Sequence, residues 1–363
     1  MTNPRKHQSA LFPGLSPSLA SLLTVASLLA LGLSACGKPT TTASSASEAV
    51  PTPIQAMEST PEPVVEISSY KPFSCPANPG TAPSGELVAE RIAAANTSRT
   101  EPGLYEGPVW IDGALYFSDF TFSDGFPSRI QRLTDESVME VVIDNSGTNG
   151  LAVDADGLLL AATHSTKSVN RIDLRNGEHQ IITGLFAENA FNSPNDLTEA
   201  KDGSIYFTDP DFQRRAAPGG QDKTRVYRIS PTGEVSVVDD TIANPNGVSL
   251  SPDQSVLYVA GGGQEGFLRA YPIVDGQPGE GRDIAPVSVP DGMAVDCLGN
   301  IYVTEHSLKR VRVLTPEGKQ IAMISVDANI TNGAFGGPDN KTLYLTGAGA
   351  VWKIELDVAG FPY

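Results

Sequence analysis

The chain predicts an all-β fold, a six-bladed β-propeller with a central metal-binding channel, on three observations. First, six polar-plus-small pairs recur along it: Glu106-Gly107, Asn149-Gly150, Asn195-Asp196, Asn246-Gly247, Asp291-Gly292 and Asn332-Gly333. Second, each pair precedes a turn and a strand-like run, as in IDGALYFSD from Ile111, AKDGSIYFTD from Ala200 and GPDNKTLYLT from Gly337. Third, the turn residues Gly113, Gly157, Gly203, Gln254, Gly299 and Asn340 lie 44, 46, 51, 45 and 41 residues apart, about the length of a four-stranded blade. In a closed ring, equivalent positions of successive blades face one axis.

The strands follow from local composition. Runs such as Ala114–Phe117, Ser204–Thr208, Val256–Ala260, Asn300–Thr304 and Thr342–Thr346 are rich in β-branched and aromatic residues and bounded by Gly, Pro, Asn and Asp. Further strands (SRIQRLT, KSVNRIDL, TRVYRIS, GFLRAYPI, KRVRVLT, AVWKIEL) alternate apolar residues with Arg or Lys, the pattern of half-exposed strands toward a blade's rim. The last of them, near 351–356, is expected to close the ring beside an early strand from residues 69–100. One short helix is expected, at Glu86–Asn96 (ELVAERIAAAN).

The N-terminal region has a different character. Residues 1–35 read as a signal peptide: Arg5 and Lys6, an apolar stretch from Leu19, then small residues before Cys36. That order resembles a bacterial lipoprotein signal, which implies cleavage before Cys36 and lipid on its sulfur. Gly37, not Asp, follows, so the expected location is the cell envelope, anchored in the outer membrane and facing the periplasm. Residues 36–68, rich in Thr, Ser, Ala and Pro, cannot build a core and read as a flexible tether. The propeller is expected over 69–363. The two other cysteines, Cys75 and Cys297, could pair in an oxidising compartment, or Cys297 could be a free buried thiol.

The formal net charge of −17 in 363 residues excludes nucleic acid as a partner, which wants a basic face. It suits a cation. Asn or Asp before Gly is by itself an ordinary turn. Six pairs that each carry a side-chain carbonyl or carboxylate, seven or eight residues ahead of the turn marker, are more than turns need. Glu106 is a poor turn former. Two carboxylates with neutral amides form the oxygen set of a hard divalent ion, and no Cys or His occupies a ring position. No nucleophile elbow, H-E-x-x-H, phosphate loop or C-x-x-C appears.

EGPVW at Glu106, NSPNDL at Asn192, GSIYFTDP at Gly203, PNGVSLSPD at Pro245 and PDGMAVD at Pro290 occur in the order seen in a known family. Over about residues 100–356 the chain resembles the gluconolactonase / senescence-marker-protein (regucalcin) / luciferin-regenerating-enzyme-like family. The resemblance implies a six-bladed propeller holding one divalent cation, Ca²⁺ first, with Zn²⁺, Mg²⁺ or Mn²⁺ as alternatives. It implies Glu106, Asn195, Asn246 and Asp291 as ligands and a lactone or related ester as the small-molecule substrate. Asp291 is the implied general base. His164, in a segment that departs from the bacterial pattern at Thr163 and Ser165, is a further catalytic candidate. By the repeat, Asn149 and Asn332 become substrate or outer contacts. Asn192 and His306 are candidate substrate contacts as well. Ser193 stands where some members carry an arginine that binds sugar-acid hydroxyls. The rival activities are phosphotriester hydrolysis, as in the related diisopropylfluorophosphatase, and a non-catalytic binding module at the cell surface.

Overall fold

A computed structural model of the chain describes residues 74–97, 99–134 and 138–361. The expected signal (1–35), the lipidation site Cys36 and the tether (36–68) lie outside the described residues.

Six antiparallel sheets follow one another along the chain. The first blade contains Gly103–Ile111, Ala114–Thr121, Ser128–Thr134 and Val138–Ile143. The second contains Thr148–Val153, Leu159–Thr163, Ser168–Asp173 and Glu178–Thr183. The third contains Leu197–Glu199, Ile205–Asp209, Arg225–Ile229 and Val235–Asp239. The fourth contains Val248–Leu250, Val256–Gly261, Phe267–Val274 and Arg282–Pro286. The fifth contains Pro290–Asp296, Ile301–Glu305, Arg310–Leu314 and Gln320–Ser325. The sixth supplies Ile330–Gly336, Thr342–Gly347 and Val351–Glu355 from its own span. In the first blade the two inner strands are almost wholly buried, the third alternates, and the outermost is largely exposed. That gradient is why the Arg- and Lys-bearing runs read as third strands.

The ring closes as the sequence leads one to expect. Glu90 and Arg91 pair with Lys353 and Trp352, so an early segment becomes the outermost strand of the last blade. Apolar clusters fill the gaps between neighbouring blades. Val109 and Tyr116 meet Leu151 and Leu159 between the first and second. At the seam, Tyr344 and Val351 of the sixth blade pack on Tyr105, Leu115 and Phe117 of the first.

The helix expected at Glu86–Asn96 does not form. Gly85–Val88 runs parallel to Gln320–Ser325 at the edge of the fifth blade, Glu90–Arg91 completes the sixth, and only Ala93–Ala95 makes a 3₁₀ turn. Good local helix propensity is a weak prior. Here it loses to two blade edges whose backbone groups need partners, and to burial of Ala89, Ile92 and Ala95 against those blades.

Cys75 and Cys297 form a disulfide, with Cα atoms 5.5 Å apart and 222 residues between them. Cys297 sits in the turn after the first strand of the fifth blade, where its N–H also donates to Ala359 O at 2.8 Å. The bridge ties the first described segment to this blade, and the hydrogen bond ties the last.

Candidate active site at the channel mouth

The polar-plus-small pairs lie at the start of each innermost strand. In the first, second and fifth blades the register slips there, between Glu106 and Val109, Thr148 and Leu151, and Pro290 and Met293. Such a bulge re-aims a side chain out of the ladder. The small member exists because the next blade comes too close for a Cβ. A methyl on Gly150 would lie 2.3 Å from Asn195 O, and one on Gly292 would lie 1.9 Å from Asn332 Cγ.

The six starts are stitched into a ring by hydrogen bonds from blade to blade. Ser118 and Thr148 share their hydroxyls at 2.7 Å. Gly150 N–H donates to Asn195 O at 2.6 Å. The Thr208 hydroxyl donates to Asn246 O at 2.6 Å. Gly247 N–H donates to Asp291 O at 3.0 Å. The Thr304 hydroxyl donates to Thr331 O at 2.6 Å, and the Thr331 hydroxyl to Tyr105 O at 2.5 Å, which closes the circle.

Above this ring opens a cavity of about 900 Å³. Glu106, Asn195, Asn246, Asp291 and His306 form its polar floor. Asp291 is held from two sides: Asn246 Nδ2 donates to Oδ1 at 2.7 Å, and His306 Nδ1 donates to Oδ2 at 3.0 Å. With Nδ1 donating, His306 Nε2 accepts from Asn329 Nδ2 at 3.4 Å. Burial works against the imidazolium, but the bond and charge of Asp291 outweigh it and hold His306 above its ordinary pKa. Burial, then repulsion from Asp291 and Asp196, pushes Glu106 well above the usual carboxylate range. Asp196 is pushed up to about 7, mainly by burial.

This crowding tests the fit of a cation. Among the described residues no three His, Cys, Asp or Glu side chains cluster as a metal site. The floor instead offers two carboxylates and two amides. Among the described residues neither Glu106 nor Asp196 has a Lys or Arg within ion-pair distance, and Asp291 has only His306. Three mutually repelling carboxyl groups with that one partner, beside amide oxygens, fit a hard divalent ion. Asn246 now turns its nitrogen to Asp291. A half-turn of the amide, which costs no backbone movement, would present its oxygen to the ion.

Of the other expected site residues, only His306 reaches the cavity wall. His164 is fully buried behind it; its Nε2 donates to Phe126 O at 2.8 Å, and Nδ1 has no partner. Burial lowers its pKa to about 4. Asn192 is occupied on both amide atoms, with Oδ1 accepting from Gln221 N–H at 2.9 Å and Nδ2 donating to Lys223 O at 2.8 Å. It pins the loop that follows the second strand of the third blade. Asn332 lies across the channel from Asp196, with Nδ2 3.4 Å from Oδ2. Asn149 is buried with both amide atoms unpartnered.

Sequence reasoning missed Asp196 and the apolar upper wall. The signal for Asp196 was present: it is the one second member of a ring pair that is not glycine. The upper wall comes from Leu104, Phe120, Phe122, Phe126 and Val289, together with Phe212, Arg214 and Arg215 of the loop that makes the 51-residue spacing the longest. Lys167, almost fully buried, anchors that loop by donating to Asn192 O and, at 2.7 Å, to Arg214 O.

The family model for the SMP-30/Gluconolactonase/LRE-like region matches residues 104–349. The chain is 24% identical over 287 residues to the gluconolactonase of Zymomonas mobilis, covering 70% of this chain and 79% of that one. It is 25% identical over 260 residues to the pentonolactonase of Haloferax volcanii, covering 68% and 82%. Among solved structures, a gluconolactonase from Xanthomonas campestris superposes with a TM-score of 0.64 at 27% identity, over 79% of this chain and 99% of that one. The calcium-binding protein regucalcin from Agrobacterium tumefaciens shares the fold, with a TM-score of 0.62 at 19% identity over 78% and 98%. The ordered ring pairs, the six blades and the match across most of the propeller lead to one conclusion: the chain belongs to the SMP-30/gluconolactonase/LRE-like family.

Proposed function

We propose that the protein is a metal-dependent lactonase whose cation is held by Glu106, Asn195, Asn246 and Asp291. The observation that carries this reading is the convergence of those four side chains on the floor of one cavity, with carboxylates that lack a basic partner other than His306. The lactonases among its relatives support the same reaction class. When bound, a Ca²⁺-type ion supplies Lewis acidity that polarises an ester carbonyl. The chain's own residues do the rest. Asp291, oriented by His306, accepts a proton from the attacking water. The water oxygen bonds to the carbonyl carbon, the ring C–O bond breaks, and the leaving ring oxygen takes the proton from Asp291, which regenerates the carboxylate and gives a hydroxy acid.

We also propose that the chain is lipid-anchored through Cys36 in the bacterial envelope. A disulfide between Cys75 and Cys297 supports an oxidising compartment.

The test is proton release from glucono-δ-lactone by protein stripped of metal and then resupplied with Ca²⁺. Turnover that disappears on stripping and returns with Ca²⁺ is expected. Turnover that persists without metal sinks the cation's role. Turnover of a phosphotriester but of no lactone sinks the lactonase reading.

A further inference from the structure

We propose that the substrate is a lactone bearing an aliphatic or aryl substituent, not a polyhydroxylated sugar lactone; this rests on the lactonase reading above. The cavity has two unlike ends. Its floor is polar and fits one ester group. Its upper wall is mainly apolar, from Leu104, Phe120, Phe122, Phe126, Phe212 and Val289, with Asp211, Gln213, Arg214 and Arg215 as its polar members. A polyol placed there would lose its hydrogen bonds with water around its whole rim and recover only those the one polar side offers, which is unfavourable against phenyl rings. An alkyl or aryl group placed there would leave water for a matching surface.

Three further features show that this wall is built, not incidental. Phe126 has φ 51°, a backbone region that bulky residues seldom occupy. It is held there by Ser123 O, which accepts its N–H at 2.9 Å, and by His164, which donates to its carbonyl. His164 thus does structural work on the wall from behind it. Phe122 and Phe212 are 49% and 44% exposed, a standing cost to a protein without an apolar ligand. Finally, about 900 Å³ lies near the upper end of the range for small-molecule sites, roughly 300–1,000 Å³, and exceeds the needs of a single sugar ring. Ser193 donates its hydroxyl to Pro210 O at 2.7 Å and so fixes the loop bearing Phe212.

The experiment measures kcat/KM of the Ca²⁺-loaded protein on δ-valerolactone, δ-octalactone and δ-decalactone, whose alkyl substituent lengthens in that order, and on glucono-δ-lactone. We expect a rise of about two- to fourfold per added methylene, with δ-decalactone at least about tenfold better than glucono-δ-lactone. The Phe122→Ser/Phe212→Ser variant removes two half-exposed rings and leaves no buried void. It should flatten the chain-length series, with the loss in KM, while its thermal melt stays that of the parent. A flat series, or glucono-δ-lactone as the best substrate, overturns this inference and leaves the lactonase reading standing. Absence of turnover on every lactone overturns both.

Discussion

His306 Nδ1 lies 3.0 Å from Asp291 Oδ2, so one of the two carboxylates on the cavity floor is oriented by an imidazole from the end of the next strand. Outer partners of this kind fix a ligand's angle and basicity. His306→Ala should weaken Ca²⁺ binding by about 10- to 100-fold. His306→Asn, which keeps a donor, should recover part of that loss. Calorimetric titration of the metal-stripped variants checks both. Unchanged affinity in His306→Ala removes His306 from the site.

Asp291→Asn keeps the shape of the side chain and removes its charge. On the proposed mechanism turnover should fall by about a thousandfold or more, because Asp291 is there both ligand and base. Thermal stability of the metal-stripped protein should hold or rise, since Asp291 repels Glu106. Activity assays beside thermal melts separate the two effects. A folded variant with parental turnover would contradict the site assignment.

His164 predicts a pH dependence of stability. Its folded pKa of about 4 lies below the ordinary value of 6.5, because burial disfavours the imidazolium. The folded state therefore binds fewer protons than the unfolded chain between those values. Its contribution is complete above about pH 6.5 and is lost as pH falls toward 4, by about 3 kcal/mol. His164→Gln, which retains a donor for Phe126 O, should flatten that part of the profile. Urea unfolding of parent and variant at neutral and mildly acidic pH tests this. Parallel profiles would mean that His164 is not buried neutral.

Gly150→Ala is expected to be far worse than an exposed glycine substitution. The new methyl meets Asn195 O at 2.3 Å and Asp196 Cα at 2.8 Å, both on the neighbouring blade. Relief requires the blades to part, which costs about 1–3 kcal/mol or more and shifts Asn195, a proposed metal ligand. Gly184→Ala is the control, since its φ, like that of Gly150, lies outside the left-handed region and its new methyl meets nothing nearer than 3.6 Å. Equal melting temperatures for the two variants would rule out the close approach.

The parts of this molecule that repeat were the parts legible in its sequence. Six ring pairs at a nearly constant offset from their turns fixed the blade count and brought Glu106, Asn195, Asn246 and Asp291 to one floor. Residues that occur once were harder. Glu86–Asn96 looks helical because Ala89, Ile92 and Ala95 recur every three residues, yet the same residues bury well from an extended segment laid on two blade edges. Of the phenylalanines of the upper wall, Phe120 lies at the end of the second strand of the first blade, and Phe122, Phe126 and Phe212 come from the loops after the second strands of the first and third blades, where nothing periodic marks them. His164 stood out as a titratable group at a strand end. Its distance from the wall depends on where Phe126 is folded, which is a tertiary fact.

The circle of blade-to-blade hydrogen bonds divides the molecule into what can be exchanged and what cannot. Each floor residue is positioned by the blade next to it: Asn246 by Thr208, Asp291 by Gly247, Tyr105 and hence Glu106 by Thr331. No floor residue can be re-sited alone without disturbing a neighbour. The loop bearing Phe212, by contrast, hangs from Lys167, Asn192 and Ser193 and contributes nothing to that circle. Descendants of this chain, natural or made in the laboratory, can trade mouths freely while inheriting the floor as one indivisible part.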